Sequence, residues 1–158
     1  MAKRALVAYY SRTGTTRKVA EAIAGMLQCD VEEVVDTKDR AGVGGFLQSG
    51  KDAMLKKLTV IREPAKSPRD YDLVIIGTPV WAWTMATPVR TYISRYADQF
   101  KAVAFFLTTG GTGIQRTLQH MEELCGKKPQ AVLGLKMDKV LKADPTPQIK
   151  AFVDALNA

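Results

Sequence analysis

Histidine is nearly missing from this chain and cysteine is scarce, with one His and two Cys in 158 residues. Cys29 and Cys125 form no close Cys-x-x-Cys pair and His120 has no second imidazole, so a disulfide framework is excluded and no metal site is expected. Idle or buried thiols suit a reducing cytoplasm, which is the expected location. No apolar run approaches the roughly 18–20 residues of a membrane helix. The basic opening Met1-Ala-Lys-Arg is followed only by Ala5–Tyr10 before hydroxyls begin, so it reads as the approach to a strand. Neither a membrane partner nor a signal peptide is expected. Carboxylates are outnumbered, 16 against 23 basic side chains, for a formal charge of +7. The basic residues are scattered, with no arginine-rich arm and no basic run interleaved with aromatics. Charge alone does not make a nucleic-acid binder, and no such partner is expected. A positive field does favour encounter with an acidic protein or an anionic ligand.

What the chain does have is alternation. Ala5-Leu-Val-Ala-Tyr-Tyr10 reads as a strand buried on both faces, and Thr15 to Leu27 as a helix with Val19, Ile23, Met26 and Leu27 on one side. Val31 to Val35 is a second strand. Gly42 to Gly45 opens a segment helical from Phe46 through Leu58, and Pro64 to Asp70 is a surface connection. Tyr71 to Ile76 is a third strand, stopped by Gly77 and Pro79, and Pro88 to Tyr96 is a helix with its proline in the first turn. Val103 to Leu107 (strand), Ile114 to Leu124 (helix), Ala131 to Leu135 (strand) and Pro147 to Leu156 (helix) complete the pattern. Strands alternating with helices predict an α/β, doubly wound, five-stranded parallel sheet. With no polar linker to divide it, residues 1–158 are expected to form one domain.

In an open parallel sheet, ligands sit beyond the carboxyl ends of the strands. Three loops there carry the chemistry. Ser11-Arg-Thr-Gly-Thr-Thr16 places four hydroxyls, from Ser11, Thr13, Thr15 and Thr16, at a helix N-terminus. Unpaired N–H groups at such a terminus favour an anion, Gly14 permits close approach, and Arg12 can add charge. One threonine would suffice for a cap; four point to phosphate. The loop lacks both the Gly-x-x-x-x-Gly-Lys-Ser/Thr signature and the three-glycine dinucleotide fingerprint. Gly77-Thr-Pro-Val-Trp-Ala-Trp83 puts two indoles by one turn, suited to a flat ring system, although both could simply pack over the next helix. Thr108-Thr-Gly-Gly-Thr-Gly113 is a third, glycine-rich turn. Together they make a pocket with a phosphate end and a flat-ring end.

On these three loops the chain resembles the flavodoxin family over nearly its whole length. The resemblance implies a strand order of 2-1-3-4-5 and non-covalent FMN. Ser11, Arg12, Thr13, Gly14, Thr15 and Thr16 would hold the phosphate. Pro79, Val80, Trp81, Ala82 and Trp83 would border one part of the ring, with Trp81 the preferred stacking residue and Trp83 its rival. Thr109, Gly110, Gly111 and Gly113 would border another part. The segment Asp39 to Gly45 is a further candidate for approach to cofactor or partner. Two features depart from the family's pattern: the basic charge, and the absence of an aromatic residue in Thr109–Gly113, which leaves one ring face open. The implied function is electron transfer between redox partner proteins, as a monomer or homodimer. The alternative is NAD(P)H-dependent reduction of a quinone or similar small acceptor. In either case the flavin reacts and no catalytic side chain is required; His120 is expected to be structural. A flavin-free binding domain is the third reading, and Asp36 and Asp72 do not supply the acidic pocket that a phosphoacceptor domain would need.

Overall fold

A computed structural model describes residues 3–157. The strands are β1 (Ala5–Tyr9), β2 (Asp30–Glu33), β3 (Leu73–Trp81), β4 (Thr84–Met85), β5 (Val103–Thr109) and β6 (Val132–Lys136). The helices are α1 (Thr15–Leu27), α2 (Gly42–Met54), α3 (Thr87–Tyr96), α4 (Ile114–Cys125), α5 (Met137–Lys142) and α6 (Thr146–Asn157). Five strands form a parallel sheet in the order β2-β1-β3-β5-β6, and β4 pairs antiparallel with the end of β3. This is the expected 2-1-3-4-5 order with one short strand inserted.

The pleat sorts side chains to two cores. Leu6 and Ala8 of β1, with Tyr10 just after it, face one way, joining Val74, Ile76 and Phe105 beneath Val89, Tyr92 and Ile93 of α3 and Met121 of α4. Ala5, Val7 and Tyr9 face the other way, where Val19 and Ile23 of α1 meet Ile149, Phe152 and Val153 of α6. Where the strands are covered on both faces they are apolar at successive positions, which is why Ala5–Tyr9, Leu73–Ile76 and Val103–Leu107 read as unbroken runs. Gly77 lies beside Phe106 in register, and a Cβ there would fall 2.0 Å from its ring.

Several boundaries differ from the sequence reading. Gly77 and Pro79 do not stop the third strand, which continues to Trp81. Pairing with β1 ends at Gly77, so beyond it that side of β3 is an edge, where a proline loses no ladder bond. The extension folds back through β4 as a hairpin. Gly42 to Gly45 form the first turn of α2 rather than preceding it, and the helix ends at Met54, not Leu58. Its end is a Schellman turn: Lys56 is left-handed (φ 55°), with Lys57 N–H bonded to the Asp52 carbonyl and Lys56 N–H to that of Ala53. β5 runs two residues further, to Thr109. β4 and α5 were not anticipated.

Candidate functional site

The carboxyl ends of β1, β3 and β5 open on a cleft of about 330 Å³. Its polar end is the loop after β1. Gly14 stands at the N-cap of α1 with φ 101°, a left-handed conformation that glycine adopts without strain, and no side chain caps the helix. The first N–H groups of a helix have no intrahelical partner, and α1 has no acidic residue in its first turn. Ser11 Oγ accepts the Gly14 N–H at 3.0 Å, which closes the loop. Ser11, Thr13, Thr15 and Thr16 all line the cleft, while Gly14 shapes the backbone without lining it. Among the described residues the Thr13 and Thr15 hydroxyls have no hydrogen-bond partner, whereas Thr16 Oγ1 lies 2.8 Å from Thr108 Oγ1, tying α1 to β5. Arg12 also lines the cleft, but its guanidinium donates to the Arg40 carbonyl (3.0 Å) and lies over the Phe46 ring, 5.4 Å from its centroid.

The apolar end is the β3–β4 hairpin. Pro79, Val80, Trp81, Ala82 and Trp83 line it. Ala82 and Trp83 are the two-residue tip, with φ of 48° and 64°. A type I′ turn demands positive φ at both central residues and usually takes Asn-Gly; here two side-chain-bearing residues accept that conformation. The base of the hairpin is held by Thr78 Oγ1, which accepts the Ala86 N–H at 2.9 Å. The tip is held by Trp83 Nε1–H, which donates to Thr112 Oγ1 at 3.1 Å.

The two indoles differ sharply. Trp81 is 8 % exposed, with Tyr10 edge-on to it at 5.4 Å and the Arg40 guanidinium over its ring at 5.2 Å. Trp83 is 51 % exposed and stands at the rim. Both indoles line the cleft, Trp83 as the more accessible one and Trp81 as the more closely packed. Thr109, Gly110 and Gly111 line the opposite wall. Gly113 does not line the cleft; it is the left-handed N-cap of α4 (φ 104°), and a Cβ there would fall 3.0 Å from Trp83 Cα. Phe46, Thr108, Thr112 and Met137 complete the walls. Thr108 and Thr112 lie within the loop picked out from sequence, while Phe46 and Met137 carried no local signal.

Behind the hairpin stands a buried cation with no carboxylate partner among the described residues. Arg90 is 8 % exposed, its Nη2 donates to Thr84 Oγ1 at 3.0 Å, and burial lowers its pKa. Thr84 Oγ1 is 2.7 Å from His120 Nδ1. Burial, and then Lys56, Arg116 and Arg90, hold the His120 pKa below its ordinary value, so the ring is neutral at pH 7. Burial, then Asp36, pushes the Tyr10 pKa up to about 12. No cluster of potential metal ligands occurs among the described residues, and no helix there is long and apolar enough to cross a membrane.

A doubly wound parallel sheet with its cleft where the order reverses, between β1 and β3, defines the class of ligand-binding α/β protein to which this chain conforms. A family model described as Flavodoxin matches residues 48–156, and the chain belongs to that family. The matched span starts after the Ser11–Thr16 loop. A flavoprotein of Lactobacillus acidophilus NCFM, solved in complex with FMN, is 25 % identical with a TM-score of 0.72, over 89 % of this chain and 97 % of that one. The apo-form of the flavoprotein from the same organism is 27 % identical (TM-score 0.67), over 91 % of this chain and 99 % of that one. The two-electron reduced flavodoxin of Megasphaera elsdenii shares 19 % identity and the fold (TM-score 0.60), over 96 % of each chain. No curated protein gives a significant match.

Proposed function

We propose that the chain binds FMN non-covalently in this cleft and passes electrons between redox partners. The observation that carries the reading is the cleft's division into an uncapped helix N-terminus ringed by hydroxyls and an apolar end with an exposed indole. The family assignment and the FMN complex of the Lactobacillus flavoprotein support the same cofactor.

Bound FMN supplies the redox chemistry, and the chain supplies binding, orientation and electrostatics. The α1 N–H groups with the Ser11, Thr13 and Thr15 hydroxyls hold the phosphate by neutral donors. Arg12, held toward Phe46, adds charge at longer range. Trp83 covers one side of the ring, while Val80, Ala82 and Met137 exclude water around it. Thr109, Gly110 and Gly111 present backbone to its polar edge. Gly14 and Gly113 set the two helix starts between which these groups converge.

Replacing Thr13 and Thr15 together with alanine tests the assignment. Each lost bond to a charged group is worth about 1.5–3 kcal/mol, so FMN affinity falls at least roughly a hundredfold. Riboflavin, lacking the phosphate, loses little. Equal losses for both flavins reject the placement.

One observation favours a second reading, NAD(P)H-dependent reduction of a quinone or similar small acceptor. Gly110, Gly111 and Thr112 are exposed and their loop bears no aromatic side chain, so that wall leaves access for a small reactant. NADH or NADPH oxidation by the FMN-loaded protein with a soluble quinone, and no partner protein, selects it.

A further inference from the structure

Helix α2 is amphipathic in the reverse sense. Its inward face is polar, with Ser49 and Asp52 buried beside Ala53. Arg40, 4 % exposed, is the hub. Its Nε donates to Asp36, and its Nη1 donates to Asp52 (3.1 Å) and Ser49 (3.3 Å). Lys38 Nζ and Gln48 Nε2 also donate to Asp52. The contacts from Arg40 and Lys38 fix the roll of the helix and turn its other side to solvent.

That other side is oily. Val43, Phe46, Leu47 and Met54 recur at helical spacing and are 78, 60, 65 and 62 % exposed. Phe46, Leu47, Met54 and Leu55 form one wall of a groove of about 460 Å³ whose other wall is Val80, Trp81 and Ala82. Met54 also meets Trp83 across a smaller hollow shared with Lys56, Arg116 and His120. At full areas of roughly 200 Å² per large side chain, the exposed fractions of Val43, Phe46, Leu47, Met54, Leu55 and Trp83 together come to about 700 Å². That exceeds the roughly 300–600 Å² of the largest patch on a typical monomer, and approaches one partner's share of a stable interface.

The rim is cationic. Between residues 38 and 63 the exposed charges are five cations (Lys38, Lys51, Lys56, Lys57 and Arg62), of which Lys38 pairs with Asp52, and two carboxylates, Asp39 and Glu63. Lys51 lines the groove itself, and Lys56 and Arg116 line the hollow under Trp83. A second copy docked by two-fold symmetry would set these cations against their own kind, whereas an acidic partner neutralises them. Continuity with the cofactor cleft fixes what sort of partner it is: Phe46, Val80, Trp81 and Ala82 line both cleft and groove.

We propose that the outward face of α2 and the hairpin tip, edged by Lys51, Lys56 and Arg116, form the docking surface for an acidic one-electron carrier protein. The proposal rests on the FMN reading. Each encounter moves one electron between the carrier's centre and the bound cofactor, one being oxidised as the other is reduced.

The test uses FMN-loaded protein and an oxidised plant-type [2Fe–2S] ferredoxin as the acidic probe, with binding followed by interferometry. Affinity falls at least roughly tenfold between about 20 and about 200 mM salt, as screening of exposed charges requires. Lys51→Glu/Lys56→Glu and Leu47→Ser/Met54→Ser each abolish binding. None of these four residues lines the cofactor cleft, so both variants keep the FMN visible spectrum. Absent binding, or binding insensitive to salt or to either variant, overturns the proposal. So does a wild-type dimer in sedimentation that Leu47→Ser/Met54→Ser dissolves, which would give the face to a second copy. Failure to take up FMN in the wild type is a separate result, and refutes the cofactor reading instead.

Discussion

The tip of the β3–β4 hairpin allows a sharp test because its strain has a predictable sign. Ala82 has φ 48°, a region that costs an L-residue about 1–2 kcal/mol. Ala82→Gly removes that cost. Against it stand the larger entropy of glycine in the unfolded chain, about 0.5–1 kcal/mol, and the loss of a half-buried methyl, about 0.4 kcal/mol. The terms span a loss of about 0.4 to a gain of about 1 kcal/mol and centre on a gain of a few tenths, raising the midpoint by about 1 °C for a chain of this length. The measurement is urea and thermal unfolding of the cofactor-free protein. The control is Ala151→Gly, at an exposed position inside α6 with ordinary helical geometry, which costs about 1 kcal/mol. Ala82→Gly is therefore more stable than its control by about 1 kcal/mol or more on central values. If Ala82→Gly is as destabilising as its control, the tip stores no strain and the argument from its dihedrals is wrong. Cofactor affinity moves the other way: a loosened tip positions Trp83 less firmly, so the stabilised variant binds FMN more weakly.

Trp83→Ala weakens FMN and riboflavin alike and shifts their visible spectra with little effect on apoprotein stability, whereas Trp81→Ala chiefly lowers stability, by about 3 kcal/mol or more; paired flavin titrations and unfolding curves check this. Asp52→Ala leaves Arg40 buried with one carboxylate fewer and costs about 3–5 kcal/mol in urea unfolding. Burial alone would raise the Asp52 pKa, but hydrogen bonds from Gln48, Lys38 and Arg40 take it below its ordinary value. Its contribution is therefore complete above about pH 4 and lost as pH falls through the depressed value, and Asp52→Asn flattens that acid limb of the stability profile. Burial pushes the Cys29 thiol up to about 11 and Cys125 up to about 12. Both therefore stay protonated at pH 8 and react with iodoacetamide far more slowly than a free thiol does, with Cys125 released only by denaturant.

The two-sided burial of the sheet was legible because Ala5–Tyr9, Leu73–Ile76 and Val103–Leu107 are unbroken apolar runs, as strands covered on both faces require. The cleft was legible for a similar reason: hydroxyls and glycines cluster after just those strands. Local pattern failed where distant contacts decide. Pro79 reads as a stop, yet the strand passes through it, since the neighbour that would require its N–H has already ended. The two indoles are two residues apart and look alike in sequence; Arg40 and Tyr10, far along the chain, settle which one is occupied. Phe46 and Met137 enter the cleft from near the starts of α2 and α5, whose positions depend on the fold. The apolar spacing of α2 resembles a core face, and the bonds of Arg40 and Lys38 to its polar side turn it outward.

That inverted helix also governs how the protein behaves in bulk. At low ionic strength the +7 charge keeps copies apart by long-range repulsion, and the greasy flank of α2 rarely meets its like. Adding electrolyte shortens that repulsion to about 10 Å near 0.1 M, while sulfate or phosphate strengthens adhesion between apolar surfaces. Concentrated stocks of this protein are therefore clearest in dilute buffer, and the precipitants that crowd it will bring α2 against α2 first.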